Sequence, residues 1–190
     1  MFYRGLILSL LLLLAMQSAN AVLYEPISTI DAKNNASYHN ELGVKFMRKQ
    51  IYPRAIEEFG IAAALVTDTQ ETGVYYNNLG LAYLGLAKQD FAHAELYAKS
   101  AQHAFEHALS YGIMQVSYYE NLVECYELQG TIKENIRLCL NSDSIYNKIL
   151  LVFLYKKIGK TLEAQTLADM IALENPELII IKNLKNYLNK

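Results

Sequence analysis

Two sets of residues in this chain have the types and spacing that chemistry could use. The stretch His103-Ala104-Phe105-Glu106-His107 sets two imidazoles four residues apart with a carboxylate between them. On a helix, residues i and i+4 share a face, so the histidines could hold a divalent metal while Glu106 activated water for hydrolysis. The second set is Cys125 and Cys139, the only cysteines. Bridged in an oxidising compartment, they would close a loop of ~15 residues worth about 3 kcal/mol. The other reading is two buried thiols, because Leu122, Val123, Leu138 and Leu140 flank them and buried Cys is common in helical cores.

Other catalytic arrangements are missing from the sequence. There is no G-x-S-x-G, no glycine-rich phosphate loop, no C-x-x-C, and no His beside Cys125. His93 precedes His103 by ten residues, which puts it off the face of the histidine pair, and spacing suggests no third ligand. We therefore expect a protein that is not an enzyme and needs no cofactor or metal. Adventitious zinc or nickel binding by the histidine pair, and a zinc-dependent hydrolase built on residues 103–107, are the alternatives.

The elements that would position these residues are helical. The chain has 190 residues, 53% hydrophobic and 19% charged, with a net charge of -2, which suits one domain and carries no basic excess to attract nucleic acid. Three Pro and nine Gly, with no sustained apolar/polar alternation, point to an all-α fold. The first residues read as an export signal: Arg4, an apolar run from Leu6 to Met16, and Ala19-Asn20-Ala21, with cleavage expected after Ala21. The run is short for a membrane span, an uncleaved anchor being the alternative, and no Cys follows it to carry lipid. The expected location is the periplasm or the exterior, with no stable membrane insertion after cleavage. Residues 22–34 read as an extended lead-in.

Internal similarity organises the rest. Leu42-Gly43 is followed by Phe46, Ala55, Phe59 and Ala62; Leu79-Gly80 by Tyr83; Leu122-Val123 by Tyr126 and Gly130; Leu151-Val152 by Tyr155, Gly159, Ala164, Ala168 and Pro176. This order resembles the tetratricopeptide repeat, a helix-turn-helix unit with L-G-x2-Y in its first helix and A-x3-F in its second. The resemblance implies a right-handed α-solenoid of about four repeats, near 36–69, 73–115, 116–144 and 145–178, with a capping helix over 176–190. Gly43 and Gly80 would let paired helices approach, with Ala55, Ala62 and Ala164 facing them, and Phe46, Tyr83, Tyr126 and Tyr155 would fill the space beside the crossing. Pro53 suits a first helical turn, Thr131 with Glu134 a capping box, and Asn175-Pro176-Glu177 the opening of the last helix, whose apolar residues are Leu178, Ile181, Leu184 and Leu188. The second repeat is several residues too long, with Ala94 or Ala101 as its contact alanine. The third is short, with Asn135 and Cys139 where Ala and an aromatic belong. Ala101, Phe105 and Ala108 would put Phe105 in the core and leave His103 and His107 beside it.

The resemblance further implies that first helices line a concave groove holding another polypeptide. Carried over from the L-G positions, the inward residues are Asn40, Val44, Met47 and Arg48; Asn77, Leu81 and Leu84; Glu120, Glu124, Glu127 and Leu128; and Ile149, Phe153, Lys156 and Lys157. The apolar members mark either a partner site or, if the rotation differs, the core. Three glutamates stacked on one helix face call for a positive group opposite, either Lys156 and Lys157 or a basic segment of the partner. Asn78 falls where some relatives grip a terminal carboxylate, but Asn40 and Val44 replace the Lys and Asn that such a clamp needs. The expected function is an exported scaffold or adaptor in the assembly of an envelope or secretion complex. A self-associating structural subunit, hence a homo-oligomer, is the further alternative.

Overall fold

The computed structural model describes residues 34–66, 69–112 and 114–189, so the expected export signal lies outside the described residues. Ala36–Lys190 forms one compact unit. Its helices are α1 (Ala36–Arg48), α2 (Tyr52–Leu65), α3 (Gln70–Gln89), α4 (Ala94–Ser110), α5 (Val116–Leu128), α6 (Ile132–Leu140), α7 (Ile145–Lys157), α8 (Thr161–Glu174) and α9 (Ile180–Leu188), with a 3-10 turn at Phe91–His93 between α3 and α4. The described residues contain no strand, and the fold is all-α. Each helix packs on the next in sequence from α1 to α9, and α1 also touches α3, α3 touches α5, and α5 touches α7.

One turn recurs in three of the four hairpins. The backbone N–H of Ile51, Thr131 and Lys160 donates to the carbonyl of Phe46, Tyr126 and Tyr155 at 3.0, 2.8 and 2.9 Å. A second bond runs inside each loop, from Gln50, Gly130 and Gly159 to Met47, Glu127 and Lys156 at 2.9, 3.0 and 3.1 Å. This double closure requires a residue at positive φ, and Gln50, Gly130 and Gly159 have φ of 57, 67 and 79°. Ala87 stands at the same distance after Tyr83 as those three residues after their aromatics. Alanine favours the helix and avoids positive φ, so α3 continues to Gln89 and turns through the 3-10 segment instead.

The hairpins close by matching a small residue to a large one. Phe59 and Phe105 press on Gly43 and Gly80, so the glycines face aromatic rings of the second helices and not the alanines expected to oppose them. Sixteen positions separate Gly43 from Phe59, Val123 from Cys139, and Val152 from Ala168, whereas twenty-five separate Gly80 from Phe105. Where glycine gives way to valine, the aromatic gives way to Cys or Ala, which keeps the summed volume of the pair within bounds. The nine extra residues of the second hairpin are the extension of α3 and its turn. Ala101, not Ala94, is its fully buried contact alanine, beside Phe105 and Ala108.

Two local expectations are corrected, and of the two readings of the cysteines the buried thiols hold. Thr131 makes no side-chain cap of α6; Asn135 Nδ2 donates to the Thr131 carbonyl and hydroxyl at 3.0 and 3.2 Å in its place. The last helix opens at Ile180, not beside Pro176; Leu184 and Leu188 are buried as expected, joined by Ile180, while Leu178 and Ile181 are half-buried against the core. Cys125 and Cys139 are both free and buried. Burial pushes their thiols up, to about 12 and about 11. Most of the core belongs to one cluster spanning α3 to α9, while α1 and α2 contribute two small alanine-rich clusters.

Candidate partner-binding face

The first helices of the four hairpins, α1, α3, α5 and α7, carry the residues expected to line a groove. Their rotations divide these residues into two groups. Leu84, Ile149 and Phe153 are 3%, 0% and 1% exposed and belong to the core, because α7 is wrapped by neighbours over most of its circumference and has six consecutive buried residues from Ile149 to Leu154. Asn77 is also buried, with its Oδ1 lacking a hydrogen-bond donor among the described residues. Val44, Met47 and Leu81 are half-buried, and Arg48, Glu120, Glu127 and Leu128 are exposed.

The C-terminal helix covers one end of this face. α9 packs on α8 and reaches back to α5. The Tyr187 ring stacks on Phe153 with centroids 4.6 Å apart, and Phe153 stacks on Tyr119 at 5.2 Å. Lys156 donates from Nζ to the Tyr187 carbonyl and lies 3.9 Å from the Tyr187 ring centroid, so α9 is held by a cation as well as by apolar contact. Burial, with the Glu120 charge second, pushes the Tyr187 hydroxyl up to about 12. An open cleft of about 810 Å³ remains between α5 and α9, lined by Val116, Glu120, Lys156, Asn183 and Tyr187 among others. Tyr187 carried no signal in the sequence beyond helical spacing, since its partner Phe153 is thirty-four residues away.

The stacked glutamates find cations within the chain. Glu124 pairs with Lys88 at 2.7 Å and Glu127 with Lys157 at 2.6 Å. These exposed pairs contribute at most about 1 kcal/mol each, yet they neutralise most of the negative stripe. Lys157 thus plays the role expected of it, Lys156 serves α9, and Lys88 was not foreseen. Asn78 donates from Nδ2 to Asn40 Oδ1 at 2.8 Å, so the amide at the clamp-like position is engaged by the residue that stands where a clamp would need Lys.

Residues 103–107 do not converge. His107 stacks on Tyr76 with centroids 4.8 Å apart, while His103 Nδ1 lies 3.8 Å from Glu106 Oε2. Glu106 Oε1 accepts from Gln102 Nε2 at 2.8 Å and from the Tyr126 hydroxyl at 3.4 Å, which turns the carboxylate toward α5. No group of three or more His, Cys, Asp or Glu among the described residues could hold a metal ion. Among the described residues no helix is long and apolar enough to cross a membrane.

Compared with known proteins, the chain matches no family model and no curated relative.

Proposed function

We propose that this chain is an exported adaptor of the tetratricopeptide type, which binds a segment of another polypeptide on the face carried by α1, α3 and α5. The observation that carries this reading is the seating of α9. At one end, the first-helix face holds an amphipathic helix of the same chain through Phe153, Lys156 and the backbone and ring of Tyr187. Grooves that accept one amphipathic helix accept others of like pattern. At the other end, Val44, Met47 and Leu81 keep apolar surface exposed, and Arg48 beside them adds a positive rim. The recurring turn and the sixteen-residue pairing of small with large residues support the repeat reading.

The test is affinity capture from the envelope fraction with wild type, Met47→Glu and Leu81→Glu. These positions are half-buried at the edge of the face, so each variant is first shown to keep its helical circular dichroism. Wild type should recover a protein that both variants lose. Recovery of the same proteins by all three would remove the assignment.

Self-association is a second reading, favoured by one outer feature. A cleft of about 420 Å³ between α6 and α8 is lined by Leu140, Leu151, Tyr155, Leu162, Leu167 and Met170, and Leu162 is 77% exposed. Light scattering at several concentrations separates a monomer from an assembly closed over this surface.

A further inference from the structure

The Glu106 carboxylate, with one oxygen toward Gln102 and Tyr126 and the other 3.8 Å from His103 Nδ1, stands at the edge of a further cleft. This cavity of about 610 Å³ lies between α4 and α6, over α5 and α7, and its volume is in the range that takes small ligands. Leu109, Leu138, Cys139 and Leu150 give it apolar walls. Its polar end is built from Glu106, Tyr126 and Tyr146. The Tyr146 hydroxyl oxygen is buried and has no hydrogen-bond partner among the described residues. Glu106 is held in place by an amide relay: Gln129 Nε2 donates to Gln102 Oε1 at 2.9 Å, and Gln102 Nε2 donates to Glu106 Oε1 at 2.8 Å. No Lys, Arg or His is among the lining residues, and the exposed His103 lies 3.8 Å from Glu106 Oε2.

We propose that this cleft binds a small amphiphilic amine, an alkyl or aralkyl ammonium whose apolar body lies along Leu109, Leu138 and Leu150 and whose charged head meets Glu106. The chemistry selects this class. A carboxylate at the mouth of an apolar cleft with no basic lining residue favours a cation through ion pairing, and Tyr126 and Tyr146 add polar groups at the same end. An anionic amphiphile such as a fatty acid would meet like charge with no compensating cation. The site is separate from the partner-binding face and does not depend on it.

The test titrates the full chain with n-octylamine, 1-octanol and octanoate, each below its aggregation concentration, by isothermal calorimetry. Octylamine should bind saturably at one site, with octanoate at least about tenfold weaker. Glu106→Gln, on a half-exposed helix position, should keep the melting temperature and lose about tenfold in octylamine affinity while octanol is unaffected. Leu138→Arg, at an exposed rim position, should abolish octylamine binding by placing a like charge at the mouth. Three results would each overturn the proposal: no saturable octylamine binding to wild type, octanoate binding as tightly as octylamine, or Glu106→Gln binding octylamine like wild type.

Discussion

The ring of Phe59 occupies the space where a side chain on Gly43 would begin: a Cβ built on the glycine falls 2.5 Å from Phe59 Cε1. Phe105 stands to Gly80 in the same way, at 2.7 Å. Within a helix, alanine is ordinarily better than glycine by roughly 0.5–1 kcal/mol. Here the added methyl must displace a fully buried ring, which costs about 1–3 kcal/mol. Gly43→Ala and Gly80→Ala should therefore lower stability in urea denaturation. Gly80→Ala combined with Phe105→Leu should recover part of the loss, because the shorter side chain frees the space the methyl takes. A Gly80→Ala variant more stable than wild type would show that the ring yields freely.

Truncating the ring that joins α5, α7 and α9 should loosen the last helix more than the rest. Phe153→Ala removes both stacks and leaves a buried cavity, an expected loss of about 3–5 kcal/mol. Amide exchange should accelerate most over 180–188, and Tyr187→Ala should reproduce that local effect at a smaller global cost. Uniform acceleration in both variants would mean that α9 is held by other contacts.

Alkaline pH should unfold the protein, and the direction follows from burial. In the unfolded chain thiols and phenols titrate at their ordinary values of 9.0 and 10.0. Burial raises Cys125 to about 12 and Cys139 to about 11, and also raises Tyr119, Tyr126 and Tyr146. Above about pH 9 the unfolded chain then holds fewer protons than the folded one, so stability falls as pH rises; below that pH it is fully present. Urea midpoints should be flat from pH 7 to 8.5 and decline steadily beyond 9. Cys125→Ala with Cys139→Ala should move the onset toward 10, where only the phenols act.

Tyr119 is fully buried with a hydroxyl that has no hydrogen-bond partner among the described residues. An unpaired buried hydroxyl costs on the order of 1–3 kcal/mol, so Tyr119→Phe should leave the urea midpoint unchanged or raise it while the stack on Phe153 persists. A drop of more than about 1 kcal/mol would reveal a partner for the hydroxyl.

Much of the architecture was legible because it is local. Helix positions follow from periodicity, and the turns at Gly130 and Gly159 follow from the one residue type that takes positive φ without strain. The burial of Phe105 followed from the A-x3-F spacing, with His103 and His107 left beside it. The candidate face was less legible. Leu84, Ile149 and Phe153 were placed on it by offsets that were sound along each helix but silent about neighbours, and the neighbours bury them.

The order of the helices and most of their breaks could be read along the chain, since these depend on residues close in sequence, whereas the ring of Phe59 on Gly43 and of Phe105 on Gly80, where alanines were expected, belongs to the packed molecule. What only the tertiary structure decided is which side of each helix meets a neighbour. A rotation of one residue turns a side chain by about 100°, enough to exchange core for solvent, and nothing within a helix sets that angle. It is set by the packing of distant elements: α9 folding back onto α5 and Phe153, Lys88 reaching Glu124, and Gln129 reaching Gln102.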